Sequence, residues 1–230
     1  MLGHNPRWAL VRVLMGPLIT ATAALLAGCG GVPLSDQVIG PSYQPANFHL
    51  RSAVMPRELR RVAVLPLATA KDEPQLEAGR EALEPIVWAE LIKTKRFEVV
   101  KVSSEQLAIW TGRPAWKAEE RLPDGFLRRL KEETSADAVL FCQLTEYRGY
   151  PPLGVGWSMK LVDAGPSPIL WSVDEFFDAG NPQVVNAARR YCQQEARDTR
   201  NLSDSFLILG SPRRFGQYTA SAVLATLPGR

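Results

Sequence analysis

The stretch Arg61-Val62-Ala63-Val64-Leu65-Pro66-Leu67 (RVAVLPL) is the strongest structural signal in the chain. It is short, apolar and rich in β-branched residues, and a proline ends it. This combination is typical of a buried strand. We therefore take it as the first strand of the fold and place the remaining elements around it.

Helical and strand patterns follow this stretch in a regular order. A helix is predicted from Pro74 to about Lys93, with a kink or a break at Pro85. Ser103 and Gln106 have the spacing of a capping box, which predicts a short helix through Trp110. Further helices are predicted to begin at the pairs Pro123-Asp124, Asn181-Pro182 and Ser211-Pro212.

Four more strands complete the pattern, and the last two are close enough for an antiparallel hairpin. They are predicted at residues 97–102, 138–144, 157–161 and 169–173. The order β-α-β-α-α-β-β-β-α-α predicts an α/β fold, a mixed sheet of about five strands with helices packed on it.

The first 28 residues have the composition of a secretory signal. They contain Arg7 and Arg12 and no acidic residue, so two of the three excess positive charges of the chain lie there. The run from Val13 to Ala27 is apolar or small, and it is short for a bilayer span. A basic start followed by a short apolar core predicts a signal peptide over residues 1–28.

This segment ends in Leu26-Ala27-Gly28-Cys29, which resembles the lipobox of bacterial lipoproteins. The resemblance implies cleavage before Cys29, a diacylglycerol on its thiol and an acyl chain on its new amino group. Gly30 is not the aspartate that retains enterobacterial lipoproteins in the inner membrane, so the resemblance implies an outer-membrane anchor facing the periplasm. We expect no cofactor beyond this covalent lipid.

Residues 29–55 are predicted to be the lipidated cysteine and a flexible tether, and residues 56–230 one periplasmic α/β domain. The tether prediction rests on several glycines and prolines, few charges and no sustained periodicity. Phe48, Leu50, Val54 and Met55 favour the alternative that its last third packs on the domain.

Charge and composition exclude several functions. The net charge is +3, which gives no reason to expect nucleic acid as a partner. After cleavage His49 is the one remaining histidine, so neither a His-based catalytic site nor a metal site is expected. Cys142 and Cys192 are predicted to be buried thiols, although an oxidising periplasm would permit a disulfide.

The ordered set of strands resembles a family of envelope lipoproteins. Residues 61–67, 96–100, 136–147 and 160–172 are similar to strands of the curli secretion-channel lipoproteins (CsgG-like), of the penicillin-binding-protein activator lipoproteins and of the amino-terminal domain of TolB. The resemblance covers about residues 59–176 and implies protein partners in envelope assembly, export or peptidoglycan-synthase regulation. A homo-oligomer is a further arrangement that it implies.

Two sets of side chains are candidates for a site. Aromatic residues in or near loops are common at protein interfaces, and the alternative for them is that they cover the edge of the sheet; they are Trp110, Trp116, Tyr147, Tyr150 and Trp157. Four carboxylates near strand ends would suit a glycan-binding protein or a carboxylate-dependent hydrolase; they are Asp163, Asp174, Glu175 and Asp178. Asp174 and Glu175 are expected on opposite faces of one strand, so we favour binding over catalysis and predict no catalytic residue.

Overall fold

A computed structural model describes residues 36–117, 119–165, 168–199 and 204–230. The strands are β1 (Phe48–Leu50), β2 (Arg61–Val64), β3 (Ala68–Thr69), β4 (Glu98–Lys101), β5 (Ala138–Arg148), β6 (Gly154–Asp163) and β7 (Ile169–Asp178). The helices are α1 (Pro74–Lys93), α2 (Ser104–Thr111), α3 (Phe126–Thr134), α4 (Pro182–Thr199) and α5 (Pro212–Leu224), with a 3-10 helix over Ser205–Gly210. All of them belong to one compact unit, Val38–Arg230.

Within the described residues the strands form one mixed sheet in the order β1-β7-β6-β5-β2-β4, and β3 pairs with β5 off this path. β2 is parallel to β4 and β5, whereas β5, β6 and β7 form an antiparallel meander with β1 at its edge. The predicted α/β class and the hairpin of β6 and β7 are confirmed. The sheet has seven strands rather than about five because β1 and β3 are three and two residues long, too short to show a period.

β2 lies between two hydrophobic cores. Val62 and Val64 face the core formed with α1, α4 and α5, whereas Ala63 and Leu65 face the core formed with α2 and α3. Because successive side chains of a strand point to opposite faces, this four-residue segment contributes to both layers. Its side chains are at most 2% exposed from Val62 to Leu65.

α1 continues through Pro85 as one helix, so the predicted break does not occur. Pro85 lies on the exposed side of α1. The carbonyl that loses its helical donor there lies on the solvent side, where water can bond to it.

Two helix starts show how local chemistry sets the boundaries. The predicted capping box is present, since Ser103 accepts from the Gln106 amide and the Gln106 side chain accepts from the Ser103 amide. α3 begins at Phe126 rather than at Pro123-Asp124, because Gly125 has a left-handed conformation (φ 76°) that interrupts the helix.

Most of the predicted tether is bound to the domain, which corrects the prediction for residues 38–55. Arg190 of α4 donates to Ser42 Oγ at 2.8 Å and to the Gly40 carbonyl at 2.6 Å. The Tyr43 amide donates to the Gln183 carbonyl at 3.0 Å. We call residues 38–50, which run from α4 to the edge of the sheet, the strap.

The rest of the strap is fixed to β7. β1 pairs antiparallel with β7, with Phe48 opposite Val173. Past the strap, Met55 is 3% exposed and its amide donates to the Gly229 carbonyl at 2.7 Å. Composition suggested a free chain because the groups that hold this segment are backbone atoms and side chains more than 100 residues away.

The lipobox Leu26-Ala27-Gly28-Cys29 and the signal segment 1–28 lie outside the described residues. Cys142 and Cys192 are buried and carry thiols rather than a disulfide. Burial, together with the negative charge of Glu84, raises the pKa of the Cys142 thiol to about 12. A thiol with this pKa is almost entirely protonated near neutral pH and therefore unreactive.

We predict that Gly216→Ala destabilises the protein by about 1–3 kcal/mol. Gly216 lies where α5 meets α1, and a Cβ there would overlap Cδ2 of Leu83, which is fully buried. Gly210→Ala is the matched control, since a Cβ at that position meets nothing within 4 Å. Urea unfolding measures both variants, and equal stabilities would contradict the prediction.

Candidate protein-interaction site

Two of the five predicted interface aromatics belong to the core, which corrects their assignment. Trp157 of β6 is fully buried, and its indole donates to Thr219 Oγ1 of α5 at 2.9 Å. Trp116 is 6% exposed, its indole donates to Thr111, and its ring meets the edge of Phe126 at 5.3 Å. Both indole donors are satisfied internally, so these residues stabilise the two cores instead of meeting a partner.

Trp110 lies apart from the other candidates. It is half-buried and lines a cleft of about 640 Å³ beside the start of α3, together with Pro123, Asp124 and Arg128. This cleft is on the α2 and α3 side of the molecule. Trp110 therefore does not share a surface with Tyr147 and Tyr150.

Tyr147 and Tyr150 lie together with a third aromatic, Phe176, at the far end of β5 and β7. With Arg148 they line a depression of about 190 Å³, which also includes Gln75 and Glu146. Tyr150 is 63% exposed and Phe176 is 45% exposed, so both present apolar surface to solvent. We call these residues (Gln75, Glu146, Tyr147, Arg148, Tyr150 and Phe176) the aromatic shelf.

A β-bulge directs Tyr147 toward α1. The register of β5 against β6 shifts between Leu144 and Glu146, so that Leu144 faces Trp157 and Tyr147 faces Val155. An extra residue at a bulge reverses the alternation of the side chains that follow it. Leu144 and Tyr147 consequently lie on the same face, although strict alternation would place them on opposite faces.

Two glycines provide the space that the aromatic rings of the shelf occupy. A Cβ at Gly79 of α1 would lie 2.5 Å from Cγ of Tyr147, and a Cβ at Gly154 would lie 3.3 Å from Cζ of Phe176. The rings therefore rest close to the backbone of α1 and β6. Burial against α1 raises the pKa of Tyr147, which keeps its hydroxyl neutral near physiological pH.

Arg148 is held in place at the rim of the shelf. Its guanidinium donates to Asp178 Oδ1 at 2.6 Å and to the Pro152 carbonyl. The ion pair is partly exposed, so it contributes little stability and acts mainly by fixing the side chain. Sequence reasoning missed Arg148 and Phe176 because nothing in their local pattern shows that β5 and β7 end at the same place.

The predicted carboxylate set does not form one site. Glu175 accepts from the Tyr43 hydroxyl and from the amides of Ala46 at 2.9 Å and Asn47 at 3.1 Å. Asp174, its neighbour in β7, is exposed and lies opposite Ser158 on the other face of the sheet. Burial and the bonded, negatively charged Glu175 raise the pKa of Tyr43, so its hydroxyl stays protonated and donates to Glu175. The three hydrogen bonds that Glu175 accepts make it a structural clamp on the strap.

The other two carboxylates are also structural. Asp163 accepts from the Gly165 amide at 2.7 Å, and Asp178 accepts from the Gly180 amide at 2.8 Å as well as from Arg148. Each therefore stabilises the turn that follows its strand. These bonds favour a structural role over general acid or base work.

A second depression, of about 350 Å³, lies between α1, α4 and α5, and sequence reasoning did not find it. Glu90 is 5% exposed there and accepts from Lys93 at 2.6 Å and from Gln217 at 3.1 Å. Glu195 accepts from Tyr191 at 3.0 Å and from Gln217 at 2.9 Å. This network joins three helices, and we assign it to packing.

The pKa values of two groups in this network, Lys93 and Tyr191, are both raised. Burial would lower the pKa of Lys93, but the bonded, negatively charged Glu90 and Glu195 outweigh it and raise the pKa. Burial is the main cause that raises the pKa of Tyr191, and the same two carboxylates add to it. Lys93 thus stays charged and Tyr191 stays neutral, as their hydrogen bonds require.

The described residues contain no group of three metal-ligating side chains and no helix long and apolar enough to cross a bilayer.

Comparisons with known proteins find several solved structures of similar fold. No family model and no curated protein matches it. Among solved structures it is similar to the PelC dodecamer from Paraburkholderia phytofirmans, with 15% identity, 80% of this chain and 96% of that chain covered, and a TM-score of 0.42. It is similar to lipoprotein GNA1162 from Neisseria meningitidis, with 17% identity, 60% and 99% covered, and a TM-score of 0.39.

The LpoB C-terminal domain from Salmonella enterica is a third similar structure, with 18% identity, 51% of this chain and 82% of that chain covered, and a TM-score of 0.33. Similarities at this level assign neither a family nor an activity. The resemblance to the curli secretion-channel lipoproteins stays a prediction.

We predict that Glu175→Gln loosens residues 46 and 47 of the strap, which Glu175 holds directly, whereas Asp174→Asn leaves them bound. Hydrogen bonds to a charged acceptor stabilise by about 1.5–3 kcal/mol, so the amides of Ala46 and Asn47 should exchange with deuterium at least several-fold faster in Glu175→Gln. Hydrogen exchange followed by mass spectrometry measures this. Equal exchange in the two variants would show that the carboxylate does not hold the strap.

Proposed function

We propose that this chain is an outer-membrane-anchored periplasmic lipoprotein that acts by protein–protein contacts in envelope assembly, export or peptidoglycan-synthase regulation. The observation that carries the anchor is the sequence order of Arg7 and Arg12, the apolar run and Leu26-Ala27-Gly28-Cys29. Several acyl chains on Cys29 would give stable anchoring, which one chain alone does not.

The aromatic shelf is the surface that we propose for the contact with a partner. Tyrosine, phenylalanine and arginine are enriched at protein interfaces, and the shelf presents Tyr150, Phe176 and Arg148 side by side. Tyr147 and Arg148 are already fixed by α1 and by Asp178. A surface whose side chains are ordered before binding loses little conformational entropy when it binds.

Binding explains the remaining polar groups better than catalysis does. Glu175, Asp178 and Asp163 are engaged in structural hydrogen bonds, and His49 lies on β1 at the exposed edge of the sheet. A general base needs a partner that orients it next to a nucleophile. We therefore propose that the protein is not an enzyme.

The anchor is tested with the Cys29→Ala variant. Labelled palmitate should enter the wild-type chain and not the variant, because the thiol and the new amino group of Cys29 are the acceptors. Separation of the two membranes on a density gradient should then place the wild-type chain in the outer-membrane fraction. Label in Cys29→Ala would contradict the anchor, and an inner-membrane position would contradict the sorting.

The shelf is tested by crosslinking in intact envelopes followed by pull-down. Truncation of a central interface aromatic costs about 2 kcal/mol or more, so Tyr150→Ala and Phe176→Ala should lower capture of a specific partner by about 30-fold. Ile109→Ala is the control, since Ile109 is 80% exposed on α2, away from the shelf. Undiminished capture by both shelf variants would exclude the shelf, and capture of this chain alone would assign it to a homo-oligomer.

A further inference from the structure

Two neighbouring apolar side chains project from the 3-10 helix that follows α4. Phe206 is 49% exposed and Leu207 is 55% exposed, whereas the next residue, Ile208, is 1% exposed. The helix thus buries Ile208 in the core, packs the half-buried Leu209 against it, and presents Phe206 and Leu207 to solvent. Contiguous exposed apolar residues mark sites of contact with a membrane or with another protein.

The exposed pair is held rigidly. Asp204 accepts from the Phe206 amide at 2.9 Å and begins the 3-10 helix. Arg189 of α4, 7% exposed, places its guanidinium 3.6 Å from the centre of the Phe206 ring and donates to Ser205 Oγ at 2.9 Å. Phe206 therefore cannot fold back into the core without breaking these contacts.

A third exposed apolar residue comes from the strap. Ile39 is 83% exposed, and its carbonyl accepts from Asn186 of α4 at 3.2 Å. Asn186 and Arg189 are three positions apart, so they are neighbours on the surface of the helix. Ile39, Phe206 and Leu207 are thus held at the same part of α4, and we call them the apolar patch.

The covalent chain connects this patch to the lipidation site. Ile39 lies ten positions after Cys29, and ten steps along the chain span at most about 35 Å when fully extended. Basic side chains lie close by in sequence, since Arg213 and Arg214 are exposed in the first turn of α5, directly after the 3-10 helix. Apolar residues flanked by arginines are typical of elements that rest in the headgroup region of a bilayer.

We infer that the apolar patch inserts into the boundary between headgroups and acyl chains, in the same membrane that holds the lipid of Cys29. Arg213 and Arg214 then meet the phosphates of the headgroups. This inference rests on the proposed anchor, and it adds a second contact that fixes the orientation of the domain on the membrane. Under this arrangement the strap and α4 face the lipid.

The test uses the full lipidated chain in vesicles of phosphatidylethanolamine and phosphatidylglycerol. An environment-sensitive nitrobenzoxadiazole probe is attached through Leu207→Cys, or through Ile109→Cys as the control on α2. Cys142 and Cys192 are buried, so the unsubstituted chain provides the labelling background. Lipids with a nitroxide near the headgroup end of the acyl chain should quench the probe at position 207 at least two-fold and leave the probe at 109 unchanged.

The outcomes separate the inference from the anchor. A chain that floats with the vesicles but shows an unquenched probe at 207 overturns the inference and leaves the anchor intact. A blue-shifted probe that nitroxide lipids do not quench assigns the patch to contact with another protein and also overturns it. The Cys29→Ala variant should fail to float with the vesicles. A wild-type chain that also fails to float would contradict both the anchor and the inference.

Discussion

The architecture depends on the double burial of β2. Val62 and Val64 pack on one side against α1, α4 and α5, and Ala63 and Leu65 pack on the other side against α2 and α3. Each fully buried valine or leucine contributes about 1.5–3 kcal/mol. Hydrogen bonds from the Leu65 amide to Leu140 and from the Val102 amide to Val64 extend the parallel pairing on both flanks of the strand. Because one strand supplies side chains to both cores, a displacement of β2 would disturb both layers.

The covered centre of the sheet also determines where the aromatic shelf lies. β5 leaves the parallel part of the sheet and runs for eleven residues to Arg148, beyond the region covered by α2 and α3. There the bulge turns Tyr147 to α1, and Gly154 leaves room for the ring of Phe176. The aromatic shelf therefore arises at the end of the meander, where the strands outrun the helical layer of one face and Tyr150 and Phe176 remain exposed.

Sequence patterns predicted the elements whose apolar runs are long enough to show a period, and the capping box because its chemistry is local. They could not predict partners that are distant in sequence. The indole of the core residue Trp157 donates its hydrogen bond to Thr219, which lies 62 positions away. Glu175 and Arg190, which bind the strap, lie more than 100 residues downstream of it. Phe176 and Arg148 could not be predicted for the candidate site either, since only the register of the meander brings them beside Tyr150.

The bound strap shortens the free chain between the proposed anchor at Cys29 and the domain. A tether that ended at residue 55 would leave 26 residues between Cys29 and the domain, whereas the strap is already hydrogen bonded to α4 at Val38. Val38 lies nine positions after Cys29, and nine steps along the chain span at most about 32 Å, roughly a third of the reach of the longer tether. With Cys29 as the proposed anchor, the aromatic shelf would stay near the membrane, and a partner would meet it there. Under the proposed anchor, such a short connection would favour partners that are themselves membrane proteins or that project from the membrane, and the orientation of the domain on the lipid would contribute to their recognition.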